Sequence, residues 1–155
     1  MTASAMLAEL GIDLPSVPQP AGAYIPAKVF GDLVFTAGQL PLVSGVLPAT
    51  GKVGEGRDLV DPADAHQYAR LCALNAIAAA AAAVGDVDRI TGVLKVTGFV
   101  ASIPAFTGQP GVINGASELL GHVFGDAGRH ARSAVGVPVL PLDSPVEVEV
   151  VFTLA

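Results

Sequence analysis

Four side chains in the C-terminal third of the chain have the types and spacing to do chemistry together. Arg132 stands at the start of an otherwise apolar run, ARSAVGV, shortly after His130. A guanidinium presents a planar fork of N–H donors that meets both oxygens of a carboxylate, so this arginine reads as an anion anchor. Glu147 and Glu149 alternate with Val146, Val148 and Val150, which puts both carboxylates on one face of a strand and the valines on the other. Facing solvent, the pair is an ordinary outward charge. Lining a subunit interface, one of the two could pair with Arg132 or orient a water molecule. Asn114 lies in a helical pattern, where it is either a polar contact or a local cap.

Other chemistries lack their residues. The chain has no phosphate-binding glycine loop, no GxGxxG after a strand, and no CxxC or HExxH. His66, His122 and His130 are too far apart for ligand spacing and read as surface or capping residues, so no metal and no cofactor is expected. Cys72 falls in a row of alanines and reads as an inert packed thiol. No Ser-His-Asp pattern stands out from chance.

The elements that must position these groups follow from punctuation and periodicity. Ser4 is read as the cap of a short helix ending at Gly11, and residues 12–22, with three prolines, as an extended connector; residues 1–21 thus precede the main body of a single 1–155 domain. Ala23–Val29 and Leu33–Ala37 flank the turn dipeptide Gly31-Asp32 and read as a hairpin. Asp61 caps a helix from about Pro62 to Val84, with Asp64 in its first turn and Gly85 as its stop. Ala65, Tyr68, Ala69, Cys72, Ala76, Ala79, Ala80 and Ala83 form a stripe of mostly small residues that would let this helix approach a sheet closely. Ile90–Val100 is read as a strand, Gln109–Phe124 as a second helix stopped by Gly125, and Arg132–Val139 and Val146–Phe152 as a final strand pair. The sum is an α+β domain with helices on one face of a sheet.

Composition bounds the setting. Of 155 residues 52% are hydrophobic and 14% charged, against about 25% charged in an average protein, so a monomer would expose apolar surface and an oligomer is expected. The net charge of −6, with eight Lys and Arg and no basic run, disfavours nucleic acid. The single cysteine fits a reducing compartment, and the N-terminus lacks the cationic region of a secretory signal. The longest apolar run, Ala76–Val84, is half a membrane span, so the cytosol and no membrane are expected.

Two separated segments carry a resemblance. GAYIPAKVFGDLVFTAGQLPL resembles the N-terminal hairpin and Ser-Gly-Gln-hydrophobic-Pro turn of the RidA (YjgF, reactive-intermediate deaminase) family, and ARSAVGVPVLPLDSPVEVEVVF resembles its C-terminal signature. The resemblance runs from about Gly22 to the C-terminus. It implies a chorismate-mutase-like fold, a mixed sheet with two main helices on one face, and a homotrimer whose sheets form a barrel with sites in the clefts between subunits. By position it implies Arg132 as the carboxylate anchor, Tyr24 as the active-site tyrosine, Asn114 as the helix asparagine, Glu147 as the water-associated glutamate, and Gly38 with neighbouring backbone as the rest of the pocket. Ala37 and Ala134 stand where the family usually has serine and cysteine, and the N-terminus and the 101–113 region are longer than in compact members. The implied activity is hydrolysis of enamine-derived 2-imino acids, such as those from 2-aminoacrylate, to 2-keto acids and ammonia. Two alternatives stay open: a non-catalytic trimer binding a small carboxylate metabolite in the same cleft, and the endoribonuclease or translation-inhibitor activity attached to some members.

Overall fold

The computed structural model describes residues 1–20 and 22–155. Its elements are α1 (Ala3–Glu9), β1 (Ala27–Phe30), β2 (Leu33–Thr36), α2 (Pro62–Val84), β3 (Ile90–Ala101), α3 (Gln109–Phe124), β4 (Ala131–Val137) and β5 (Val146–Leu154). Local chemistry sets the helix ends. The Asp61 carboxylate accepts from the Ala63 N–H at 2.8 Å, Pro62 occupies the first turn, and Gly85 closes α2 in the left-handed region with its N–H on Ala81 O. At α1 the cap is Thr2 rather than Ser4. Thr2 Oγ1 accepts from the Ala5 N–H at 3.3 Å, while Ser4 donates to Asp88 through both its hydroxyl (2.7 Å) and its N–H (2.8 Å). Ser4 thus docks α1 onto the 3₁₀ turn Val87–Arg89, a long-range role that no local pattern announces.

The strands form one sheet in the order β1-β2-β5-β3-β4. All neighbours are antiparallel except β3 and β4, which run parallel with α3 as the crossover between them. The last two strands are therefore not a pair. β5 enters between β2 and β3, where its alternation suits a strand bonded on both sides, and the chain leaves α3 to place β4 at the edge. The hairpin is also shorter than Ala23–Val29 and Leu33–Ala37. Pro26 has no N–H for a ladder, so β1 starts at Ala27, and the Ala37 N–H closes the hairpin mouth on Pro26 O at 2.8 Å. Pro138 likewise ends β4 at Val137.

Both long helices cover one face of the sheet. Val34, Val96, Val100, Val146, Val148, Val150 and Phe152 point into that layer and are buried against α2 and α3. The small residues of the α2 stripe are buried from Ala65 to Ala80, with Tyr68 half-buried among them, but Ala83 in the last turn is exposed. α2 is long and apolar enough to cross a membrane by length and composition, yet half of its most apolar window is buried in this fold. At the α2–α3 contact a Cβ on Gly115 would lie 1.9 Å from His66 O, so only glycine permits this approach. Among the described residues no helix covers the other sheet face. Val135, Phe99 and Glu147 stand in register across three strands there, with Phe35 beside Val151, and Val135 and Phe35 are each 43% exposed.

Candidate functional site

The candidate anchor lies where β4 meets α3. Register places Arg132 beside Val96, on the helix side of the edge strand. Its Nη1 donates to Asn114 Oδ1 at 2.8 Å and to Ser117 Oγ at 3.2 Å, and its Nη2 donates to Pro110 O at 3.3 Å. Asn114 and Ser117 are three residues apart, so they share a side of α3. Three of the five N–H groups of the fork are thus taken, leaving two with no partner among the described residues, the number that a carboxylate accepts. Asn114 is a polar contact and not a cap, since α3 starts from Gly108. Ala134, two residues along β4 on the same side, is half-buried and packs against the core.

The candidate water-orienting group is on β5. Glu147 lies opposite Phe99 on the uncovered face and is half-buried. Gly38 packs flat against it: a Cβ there would lie 2.7 Å from both Cδ and Oε1 of Glu147. Desolvation first, and then the negative charge of Glu149, push the Glu147 carboxyl above its usual range. Gln39 extends the pairing of β2 toward β5, its N–H on Val148 O at 2.8 Å and its carbonyl accepting from Val148 N–H at 3.0 Å. Between Ala37 and Gln39, the Gly38 N–H has no hydrogen-bond partner among the described residues, so a donor stands free beside a carboxylate. Tyr24 is 54% exposed on the bend before β1, at the same open end of the hairpin as half-buried Ala37.

Within one chain the expected residues therefore form two groups. Arg132, Asn114 and Ala134 are together on the helix side of β4, and Gly38, Ala37 and Glu147 are together around β5, with Glu147 on the opposite face of the sheet from Arg132. Three contributors escaped the sequence reading. Asn75, 6% exposed in the alanine-rich stripe, donates through Nδ2 to Leu40 O (2.9 Å) and Leu42 O (3.1 Å) and so ties down the loop that follows Gly38. A lone asparagine among alanines was the available signal. Ser117 and His130 support the Arg132 fork, and only the folded chain brings them together. His66 spans the helices, with Nδ1 on Gly111 O at 2.9 Å and Nε2 3.2 Å from Glu118. No cluster of three metal-ligating side chains occurs among the described residues. Cys72 is fully buried; desolvation, then the charge of Glu147, push its thiol well above the usual range, which leaves little nucleophilic thiolate.

Comparison with known proteins addresses the fold and the family. Residues 4–154 match the model of the family described as "YjgF/chorismate_mutase-like, putative endoribonuclease". The chain is 42% identical over 154 residues to "Protein TCP17" of Trypanosoma cruzi, covering 97% of this chain and 93% of that one. It is similar to the solved structure of Atu1372 from Agrobacterium tumefaciens, described as of unknown function, with a TM-score of 0.88 and 43% identity over 99% of this chain and 92% of that one. It is 31% identical over 145 residues to the "Putative reactive intermediate deaminase TdcF" of Escherichia coli, covering 90% and 93% of the two chains. The structure of TdcF with bound serine superposes with a TM-score of 0.65 and 26% identity, covering 90% of this chain and 94% of that one. With its chorismate-mutase-like fold, this chain belongs to the YjgF, or RidA, family.

Proposed function

We propose that the protein is a homotrimeric deaminase that hydrolyses small 2-imino acids to 2-keto acids and ammonia in the clefts between subunits. The observation that carries this reading is the Arg132 fork, held against α3 with two N–H groups unspent. They would take the substrate carboxylate side by side and set its orientation. Across the cleft, the neighbouring subunit would bring its own Gly38 N–H to hold a polar atom of the substrate beside its own Glu147 carboxylate. Glu147 would accept a proton from water as its oxygen adds to the C=N carbon, then pass that proton to the nitrogen. Collapse of the amino alcohol, its hydroxyl proton passing through Glu147 to the nitrogen, breaks the C–N bond and releases ammonia and the ketone. A carboxyl whose proton affinity is raised is the better base near neutral pH. The imine is already electrophilic, so positioning supplies most of the acceleration. TdcF, a family member, has been crystallised with serine, an amino acid that carries a comparable carboxylate.

The uncovered sheet face supports the trimer, because an apolar face left to water favours association. Buried, free Cys72 fits a reducing cytosol. A second reading, a trimer that binds a small carboxylate without turnover, draws on Ala37 and Ala134, which remove two polar groups from the cleft. The test is ammonia and keto-acid release from imino acids generated in situ by an amino-acid oxidase, comparing wild type with Arg132→Ala. Acceleration lost in the variant supports the deaminase. No acceleration by a trimer that still binds pyruvate supports the second reading.

A further inference from the structure

Arg132 does not reach its position unaided. Ser117 Oγ lies 3.2 Å from Arg132 Nη1 and 2.9 Å from His130 Nε2, and His130 Nδ1 lies 2.6 Å from Gly128 O. With the imidazole neutral, the partners set the direction of every bond. A carbonyl only accepts, so Nδ1 carries the proton, and in the neutral ring Nε2 then accepts. The guanidinium only donates, so Ser117 Oγ accepts from Arg132 and turns its own O–H toward Nε2. The chain Arg132→Ser117→His130→Gly128 has one donor and one acceptor matched at each step, and it is part-buried from Ser117 onward.

Its end is anchored in backbone that cannot drift. Gly128 is buried, and a Cβ there would lie 2.5 Å from Leu120 O, so the turn carrying this carbonyl is pressed against α3 itself. Two contacts, Asn114 and Ser117, consume both hydrogens of Nη1 and stop the fork turning about its last bonds. Asn114 alone would leave one of them free. We propose that Ser117 and His130 are positioning residues that hold the Arg132 guanidinium in the orientation that presents its two free N–H groups to a carboxylate. This rests on the reading of Arg132 as the carboxylate anchor. It makes affinity for the carboxylate depend on two side chains that never touch it.

The test has two readouts. In the imino-acid assay Ser117→Ala should raise KM about tenfold with kcat nearly unchanged, the loss of one hydrogen bond to a charged group in substrate binding. Ser117→Thr, which keeps the hydroxyl, should restore KM. His130→Phe should resemble Ser117→Ala, and His130→Gln, which keeps an acceptor, should be milder. The second readout needs no turnover: nitrogen-15 spectra of the Arg132 side chain should resolve its Nη groups in wild type and average them in Ser117→Ala. Pyruvate binding should weaken by the same factor as KM rises. Should wild type show no deaminase activity, the spectra and pyruvate titration still decide the positioning role. Unchanged spectra and unchanged pyruvate affinity in both Ser117→Ala and His130→Phe would overturn it, and so would a fall in kcat with KM preserved.

Discussion

Gly38 gauges where the Glu147 carboxylate sits, because a single carbon added there would occupy the space of Cδ and Oε1. The atoms it meets are the free end of a flexible side chain, so the fold can yield without unfolding. Gly38→Ala is therefore expected to keep the melting temperature within a few degrees. The displaced carboxylate should lower kcat/KM about a hundredfold, the scale of a misplacement near 1 Å. Thermal denaturation and the coupled ammonia assay check the two halves separately. The charge of Glu149 gives a second handle. It raises the proton affinity of Glu147, so Glu149→Gln should lower it and move the acid limb of the pH–rate profile to lower pH. The linkage sign also predicts stability. A carboxyl with a raised folded-state pKa stabilises in its protonated form and loses that contribution as pH rises through the folded value. Glu147→Gln should thus abolish turnover at neutral pH without lowering the melting temperature. Of these residues Arg132 and Glu147 were legible as odd charges in apolar strands, whereas Ser117, His130 and Asn75 were not. The contacts that give them their roles, Ser117 to His130 and to Arg132 and Asn75 to Leu40, span 13 to 35 positions, beyond any local pattern.

The elements most clearly legible were those whose ends are written in the chain itself. Asp61-Pro62 and Gly85 set α2, and Gly125 ends α3, because caps and left-handed glycines act within a few residues. Sheet order was not legible, since inserting β5 between β2 and β3 depends on pairings that local propensity does not encode. The consequence of α2's small residues is testable. Ala76 is fully buried, so Ala76→Leu inserts carbons where nothing gives way, and about 1–3 kcal/mol of stability should be lost in chemical denaturation. Gly115→Ala is more severe, because its new carbon would meet the His66 backbone carbonyl and not a movable side-chain end. It should melt well below Ala76→Leu.

At the scale of the molecule, the proposed trimer puts the free sheet face at the contacts between subunits. Val135 and Phe35 stand on that face, so Val135→Glu should shift the mass seen by light scattering from three times 15.5 kDa toward one. Deaminase activity should fall with it, while the buried helix layer keeps the monomer folded. The placement of Arg132 and Glu147 on opposite faces of one sheet also reaches into genetics. In the proposed trimer each cleft takes its arginine from one chain and its glutamate from the next. Two dead variants, Arg132→Ala and Glu147→Gln, should then revive each other when unfolded together and reassembled in equal amounts. By chance about a quarter of the clefts would receive an intact pair, from two chains that are each inactive alone. The same arithmetic makes either allele, co-expressed with wild type, a dilution of activity and not a dominant block.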